Sequence, residues 1–171
     1  SFTQAPYYTN FILNIPDNFS NGSFYNVPID DLVEIIDHAL ASGYTAEIDC
    51  DVSEKTFSAK DGVAVIPANK LNNLKALHSI YPEMDVTQEY RQQEFENFKT
   101  TDDHLMHITG SVKDQNGNKY YKVKNSWGTD EKRTNFDGYV YFSEAYVRLK
   151  TISITLHKDG IPENITTKLG L

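Results

Sequence analysis

The stretch DHLMHITGSVKDQNGNKYYKVKNSWG, residues 103–128, decides how the chain is read. It alternates as two strands would, over 104–109 and 119–125, and the polar run 114–118 between them holds Asn116-Gly117, a strong hairpin signal. On the first strand His104, Met106 and Ile108 share a face. On the second, Tyr121, Val123 and Asn125 do, while Lys122 and Lys124 point the other way. Asn125 therefore closes an otherwise apolar row, and a buried amide needs a hydrogen-bonding partner. His104 is the candidate, and register decides whether the two meet. A bend centred between Asp114 and Gln115 sets Asn125 opposite His104. One centred on Asn116-Gly117 sets it opposite Ile108, about 13 Å further along the strand. In the second case a bulge or an asymmetric loop is required to bring the pair together.

Working outward, Asp103-His104 leads into a hydrophobic strand ending at Gly110. The second strand runs into Asn125-Ser126-Trp127-Gly128, and Asp137-Gly138-Tyr139-Val140 follows. This arrangement resembles the carboxyl half of papain-like cysteine peptidases, and within them the bleomycin hydrolase and aminopeptidase C branch. Upstream, PYYTNF at 6–11, IPDN at 15–18, YNVP at 25–28 and DVSEK at 51–55 look like the same branch, so the resemblance covers nearly the whole chain. It implies that His104 is the general base and imidazolium partner of a nucleophilic thiolate, that Asn125 orients its ring, and that Trp127 shields their hydrogen bond from water. No segment matches the family's nucleophile or the glutamine of its oxyanion hole. The resemblance thus implies the C-terminal part of a cysteine-type aminopeptidase that supplies His and Asn without the thiol and is inactive alone. The alternative from another class is a non-catalytic binding or interaction module that retains the peptidase fold.

The implied fold is α+β, the C-terminal antiparallel barrel-like lobe of the papain-like fold, as a single domain over 1–171 with a helical insertion at 59–101 and the N-terminal helical lobe absent. The implied partners are a peptide substrate, the missing N-terminal catalytic half and, in the full-length protein, further copies in a homo-oligomer. The branch also threads its carboxyl terminus into the active-site cleft, but the tail ending at Leu171 departs from that branch's version.

Composition fits a globular chain. Of 171 residues 39% are hydrophobic, including eleven Tyr and nine Phe, which allows a sizeable core and argues against disorder. The formal charge of −8 disfavours nucleic acid and anionic membranes as partners, and no apolar run is long enough for a membrane span. One cysteine excludes an internal disulfide framework and fits a reducing, cytoplasmic compartment.

Residues 1–28 read as an extended arm with turns. From Asp30, the spacing of Leu32, Ile35, Ile36, Ala39 and Leu40 predicts an amphipathic helix with Asp30 as N-cap and a stop at Gly43. A strand over 44–52 follows and carries Cys50 between Asp49 and Asp51, which oppose formation of a thiolate. Residues 63–66 read as a short strand and 71–80 as a helix, and 86–98 as a charged helix whose charge run is a solvated face. By the resemblance, the insertion helps build an oligomer and narrow the cleft. A polar surface loop is expected over 129–135, then a strand over 139–142, a short helix capped by Ser143, a strand over 151–157 with Ile152, Ile154 and Leu156 inward, and a helical tail after Pro162.

No cofactor is expected, and two metal readings fail. His104 and His107 lie an odd number of residues apart, which on a strand sends their rings to opposite faces. In 114–118 the glycine stands at the fourth place of a would-be calcium loop instead of the sixth, and Asn125 stands at the twelfth, where a glutamate is needed.

Overall fold

The computed structural model describes residues 1–130 and 132–171; Glu131, part of the polar loop expected over 129–135, lies outside the described residues. The arm at the amino terminus holds two short strands, β1 (Asn10–Ile12) and β2 (Ser23–Tyr25), paired antiparallel, where only turns were expected. Helix α1 (Ile29–Ala41) buries Leu32, Val33, Ile35, Ile36 and Ala39 along one stripe, as its three-and-four spacing requires. It begins one residue before the expected cap. Pro28 stands at the N-cap with no side-chain bond, and the orphan amide of Ile29 donates instead to Gln88 Oε1 at 2.8 Å. A long-range partner thus replaces the local cap.

The main sheet has seven strands in the order β4-β5-β8-β7-β6-β3-β9. In chain order they are β3 (Ala46–Cys50), β4 (Phe57–Ser58), β5 (Val63–Ala64), β6 (His104–Lys113), β7 (Lys119–Lys124), β8 (Tyr139–Ser143) and β9 (Thr151–Leu156). All neighbours pair antiparallel except β5 with β8. The expected barrel-like lobe takes the form of an open sheet: among the described residues the edge strands β4 and β9 do not pair with one another. Closure needs long, tilted strands, and β4 and β5 are two residues each. The inward residues of β3, β6, β7 and β8, among them Ile48, Met106, Ile108, Tyr121, Val123, Val140 and Phe142, form one core with Ile36 of α1.

The expected 59–101 insertion contains little regular structure. The helix expected over 71–80 is reduced to a 3-10 turn at Lys70–Asn72 and one turn of helix, α2 (Asn73–Ala76). The charged segment forms α3 (Gln88–Glu96), but its charges are not all solvated: Arg91, Gln92 and Glu94 are buried. Arg91 donates to the carbonyls of Ser1, Arg148 and Thr151, which ties the arm to the body. Burial holds the Arg91 guanidinium down at about 10. The charge pattern concealed this because three carbonyls satisfy a guanidinium as well as carboxylates can.

Ser143 accepts from the amide of Tyr146 at 3.1 Å and caps α4 (Glu144–Lys150), as expected. The tail forms α5 (Glu163–Leu169) after Pro162, and Ile165 packs with Val27, Leu32 and Ile35. The hydrogen bonds and ion pairs of α5 to the body, made by Asn164 and Lys168, go to Glu34, Tyr8 and Asp31, so α5 docks on α1 and the arm.

Beneath the start of β6 lies a buried ion pair. Lys150 and Asp51 are both fully buried; Lys150 Nζ is 3.4 Å from Asp51 Oδ2 and donates to Lys99 O at 2.7 Å. Asp51 also accepts from the amides of Ser53 and Thr101 at 2.7 and 3.0 Å. The segment entering β6 and the segment leaving β3 are therefore held to one carboxylate. Burial pushes the Asp51 carboxyl up, but Ser53, Lys150 and Thr101 outweigh it and hold the group below its ordinary value. A lowered carboxylate stabilises the fold in full above the ordinary carboxylate range and loses that contribution as pH falls through the lowered value. Lys150→Met is expected to cost about 3–5 kcal/mol by stranding the Asp51 charge, and Asp51→Asn/Lys150→Met to recover part of it. Denaturant melts check both. Equal stability of the single and double variants would contradict this account.

Candidate functional site

The hairpin of β6 and β7 turns through 114–118. Asp114 Oδ1 accepts from the amides of Asn116 and Asn118 at 2.8 and 2.9 Å, and Gly117 takes the positive φ of +87° that this turn needs. Next to the turn Lys113 stands opposite Lys119 and Gly110 opposite Lys122. The bend is therefore centred on Asn116, between the two alternatives the sequence allowed. Between Ile108 and Gly110 the register then shifts, leaving Thr109 as an extra residue whose hydroxyl donates to Lys122 O at 3.1 Å.

The shift aligns the core faces. With it Ile108 stands opposite Val123; without it Ile108 would oppose Lys124 and one apolar row would face outward. One step beyond the ladder the same register sets Asn125 across from Met106. His104 is then Asn125's diagonal neighbour on the same face, within reach of a ring. His104 Nε2 lies 2.9 Å from Asn125 Oδ1. An amide oxygen can only accept, so Nε2 carries the proton and, in the neutral ring, Nδ1 keeps its lone pair. Among the described residues Nδ1 has no hydrogen-bond partner. Asn125 is 3% exposed, and its Nδ2 also lacks a partner among the described residues.

Trp127 follows in the loop after β7. Its ring centroid lies 5.1 Å from the imidazole of His104 at an interplanar angle of 44°, and the indole is 38% exposed. The loop is closed by main chain: Asn125 N donates to Gly138 O at 3.0 Å, and a Cβ on Gly138, at φ +76°, would meet Gly128 O at 2.4 Å. Only glycine permits that approach. His104, Asn125 and Trp127 are thus brought together, half-buried, buried and exposed in turn.

His107 points to the other face, where its Nε2 is 2.8 Å from Thr45 Oγ1. Cys50 is fully buried opposite His104 on β3, with its thiol 3.6 Å from His104 O. Burial first, then Asp49, Asp103, Asp51 and Asp102, push that thiol well above its ordinary value, so it has neither the exposure nor the charge of a nucleophile. Among the described residues no group of three or more His, Cys, Asp or Glu is gathered as metal ligands would be, and no helix is long and apolar enough to cross a membrane.

Sequence reasoning missed three contributors. Phe57, outside every element read from the sequence, packs edge-on against the indole with centroids 6.1 Å apart. Asp51, just after β3, and Lys150, at the end of α4, brace the approach to His104, yet nothing in their polarity signalled burial. The Asp137-Gly138 turn was visible, but its close approach to Gly128 was not.

A family model described as Peptidase C1-like family matches residues 2–170. Among solved structures, PepW from Lactobacillus rhamnosis HN001 is similar over 99% of this chain with a TM-score of 0.70 at 17% identity, a likeness of fold. The chain spans 36% of the length of PepW. Bromelain protease from Ananas comosus, in complex with the E64 inhibitor, aligns over 75% of this chain and 46% of its own, with 15% identity and a TM-score of 0.39. No curated protein matches the chain.

Trp127 is the only tryptophan, so its emission reports on this ring alone. Removing the imidazole that lies 5.1 Å from the indole, in His104→Ala, should change this emission. An unchanged spectrum in that variant would place the imidazole elsewhere.

Proposed function

The chain belongs to the Peptidase C1-like family, and from that footing we propose that it is the His- and Asn-bearing C-terminal part of a cysteine aminopeptidase, its thiol supplied by an N-terminal half. A cysteine-peptidase class follows from the family itself. One observation supports the assignment of roles: the imidazole of His104 lies 2.9 Å from an amide oxygen and beside an indole, and among the described residues its other nitrogen has no hydrogen-bond partner.

The chemistry needs a thiolate from the other half. Its sulfur attacks the carbonyl carbon of a peptide bond, a C–S bond forms, and the carbonyl oxygen takes the charge. As the tetrahedral centre collapses, Nδ1 of the His104 imidazolium gives its proton to the leaving amine and the C–N bond breaks. The neutral ring then takes a proton from water, whose oxygen attacks the thioester; the acid departs and the thiolate and imidazolium return. Throughout, Asn125 accepts from Nε2–H, keeping the reactive lone pair on Nδ1, the part an acid plays in serine triads. Trp127 keeps water from competing for that bond.

The aminopeptidase reading rests on the sequence resemblance to the bleomycin hydrolase and aminopeptidase C branch. The same resemblance suggests a peptide substrate and a homo-oligomer for the full-length protein, and Cys50 suggests a cytoplasmic setting.

The test uses the full-length protein on aminoacyl reporters with free and acetylated amino termini. Cleavage of the free-amine reporters only, blocked by thiol alkylation, is expected. His104→Ala should lower kcat on the order of a millionfold, as loss of a group from a catalytic triad does. Cys50→Ala should retain activity. Peptide binding without cleavage would favour the non-catalytic module; full activity in His104→Ala would overturn the assignment.

A further inference from the structure

The exposed indole of Trp127 has two aromatic neighbours among the described residues, His104 at 5.1 Å and Phe57 at 6.1 Å. Phe57 meets Trp127 at 82°, an edge-to-face geometry. Its ring also meets Phe142 at 5.9 Å and 83°, and Tyr146 at 6.4 Å. Phe142 and Tyr146 are fully buried and 4.9 Å apart, so Phe57 joins an exposed indole to a buried pair of core rings.

The seat of Phe57 is itself held. Its amide donates to Glu54 O at 3.0 Å, and the Glu54 carboxylate is 2.7 Å from the buried Lys150 ammonium. Tyr146 Oη donates to Asp51 O at 2.9 Å, at the start of the segment that carries Phe57. On its far side β4 pairs Phe57 with Ala64 of β5. The backbone around Phe57 is thus tied to the ion pair that also holds the approach to His104. Ordinary core filling would need only apolar volume at this position. A ring in contact with two buried core rings and with an exposed indole also links the one to the other.

We propose that Phe57 is a positioning residue for the His104–Asn125 pair, acting through Trp127: its ring keeps the indole seated over the hydrogen bond and so keeps water from it. This rests on the roles proposed above for His104, Asn125 and Trp127. It assigns function to a segment, 51–58, that carries none of those residues.

The experiment needs no catalysis and uses this chain. Two readouts are taken: solvent exchange of the His104 Nε2 proton by NMR, and acrylamide quenching of Trp127, the only tryptophan. Phe57→Leu keeps apolar volume and removes the ring. It is expected to raise both readouts, with about a fivefold fall in the ratio of seated to open indole, the equivalent of about 1 kcal/mol for one aromatic pair. Phe57→Tyr should restore both. Val147→Ala, a buried change on α4, lowers stability without touching the indole and should move neither. Unchanged readouts in Phe57→Leu, or equal loosening in Val147→Ala, would overturn the proposal while leaving the roles of His104 and Asn125 intact. If Phe57→Leu does not fold, the wild-type chain decides: a cross-relaxation signal between the Phe57 and Trp127 rings is expected, and its absence overturns the proposal. A wild-type Nε2 proton in unrestricted exchange would instead remove the underlying reading, and the proposal with it.

Discussion

Everything at the site depends on one extra residue in a strand. The turn at 114–118, stapled by Asp114, fixes a register near the tip that would set the apolar faces of β6 and β7 out of step. Since the side-chain period of a strand is two, a single inserted residue reverses the mismatch. Thr109 is that residue. Beyond it the buried rows coincide, and the polar ends of those rows, His104 and Asn125, come within hydrogen-bonding distance. The demand for one continuous core and the demand for a histidine–amide pair are met by the same bulge. Changing the turn's register would cost both at once.

Around that pair the structure divides its support. Charge holds the floor: Lys150, Asp51 and the amides of Ser53 and Thr101 tie the segment entering β6 at His104 to the segment leaving β3. Main-chain closure holds the roof, where Gly138 and Gly128 approach too closely for any side chain and set the loop that carries Trp127. Aromatic packing through Phe57 joins the two. The carboxylates near β3 serve stability on one hand and suppress the thiol of Cys50 on the other. A cysteine inside such a field is a core residue, which is consistent with a nucleophile brought by another segment.

Much of this was legible in the residues. Alternation placed His104 and Asn125 on inward faces, the three-and-four spacing marked α1, and Ser143 announced α4. Periodicity reports which face a residue takes, and these elements depend on little else. What escaped depends on distant partners. The register could not be read because Asp114's side chain, more than the Asn-Gly pair, centres the turn. The start of α1 at Ile29 depends on Gln88, fifty-nine positions away. Arg91 looked solvated because its acceptors are carbonyls of Ser1, Arg148 and Thr151, which leave no trace in a charge pattern. The barrel-like lobe became an open sheet because β4 and β5 are too short to wrap around, a matter of strand length that turn signals do not define.

The central claim is that the amide of Asn125 holds the His104 ring with its proton on Nε2 and its lone pair on Nδ1. The most direct test is the tautomer of His104 in this chain at a pH where the ring is neutral, read from the ring nitrogen-15 shifts and their couplings to the ring protons. The account predicts a protonated Nε2 and a bare Nδ1, with that preference weakened in Asn125→Ala. A proton on Nδ1 in the native chain would mean that the amide presents its donor to the ring, and the proposed division of labour between the two residues would be contradicted.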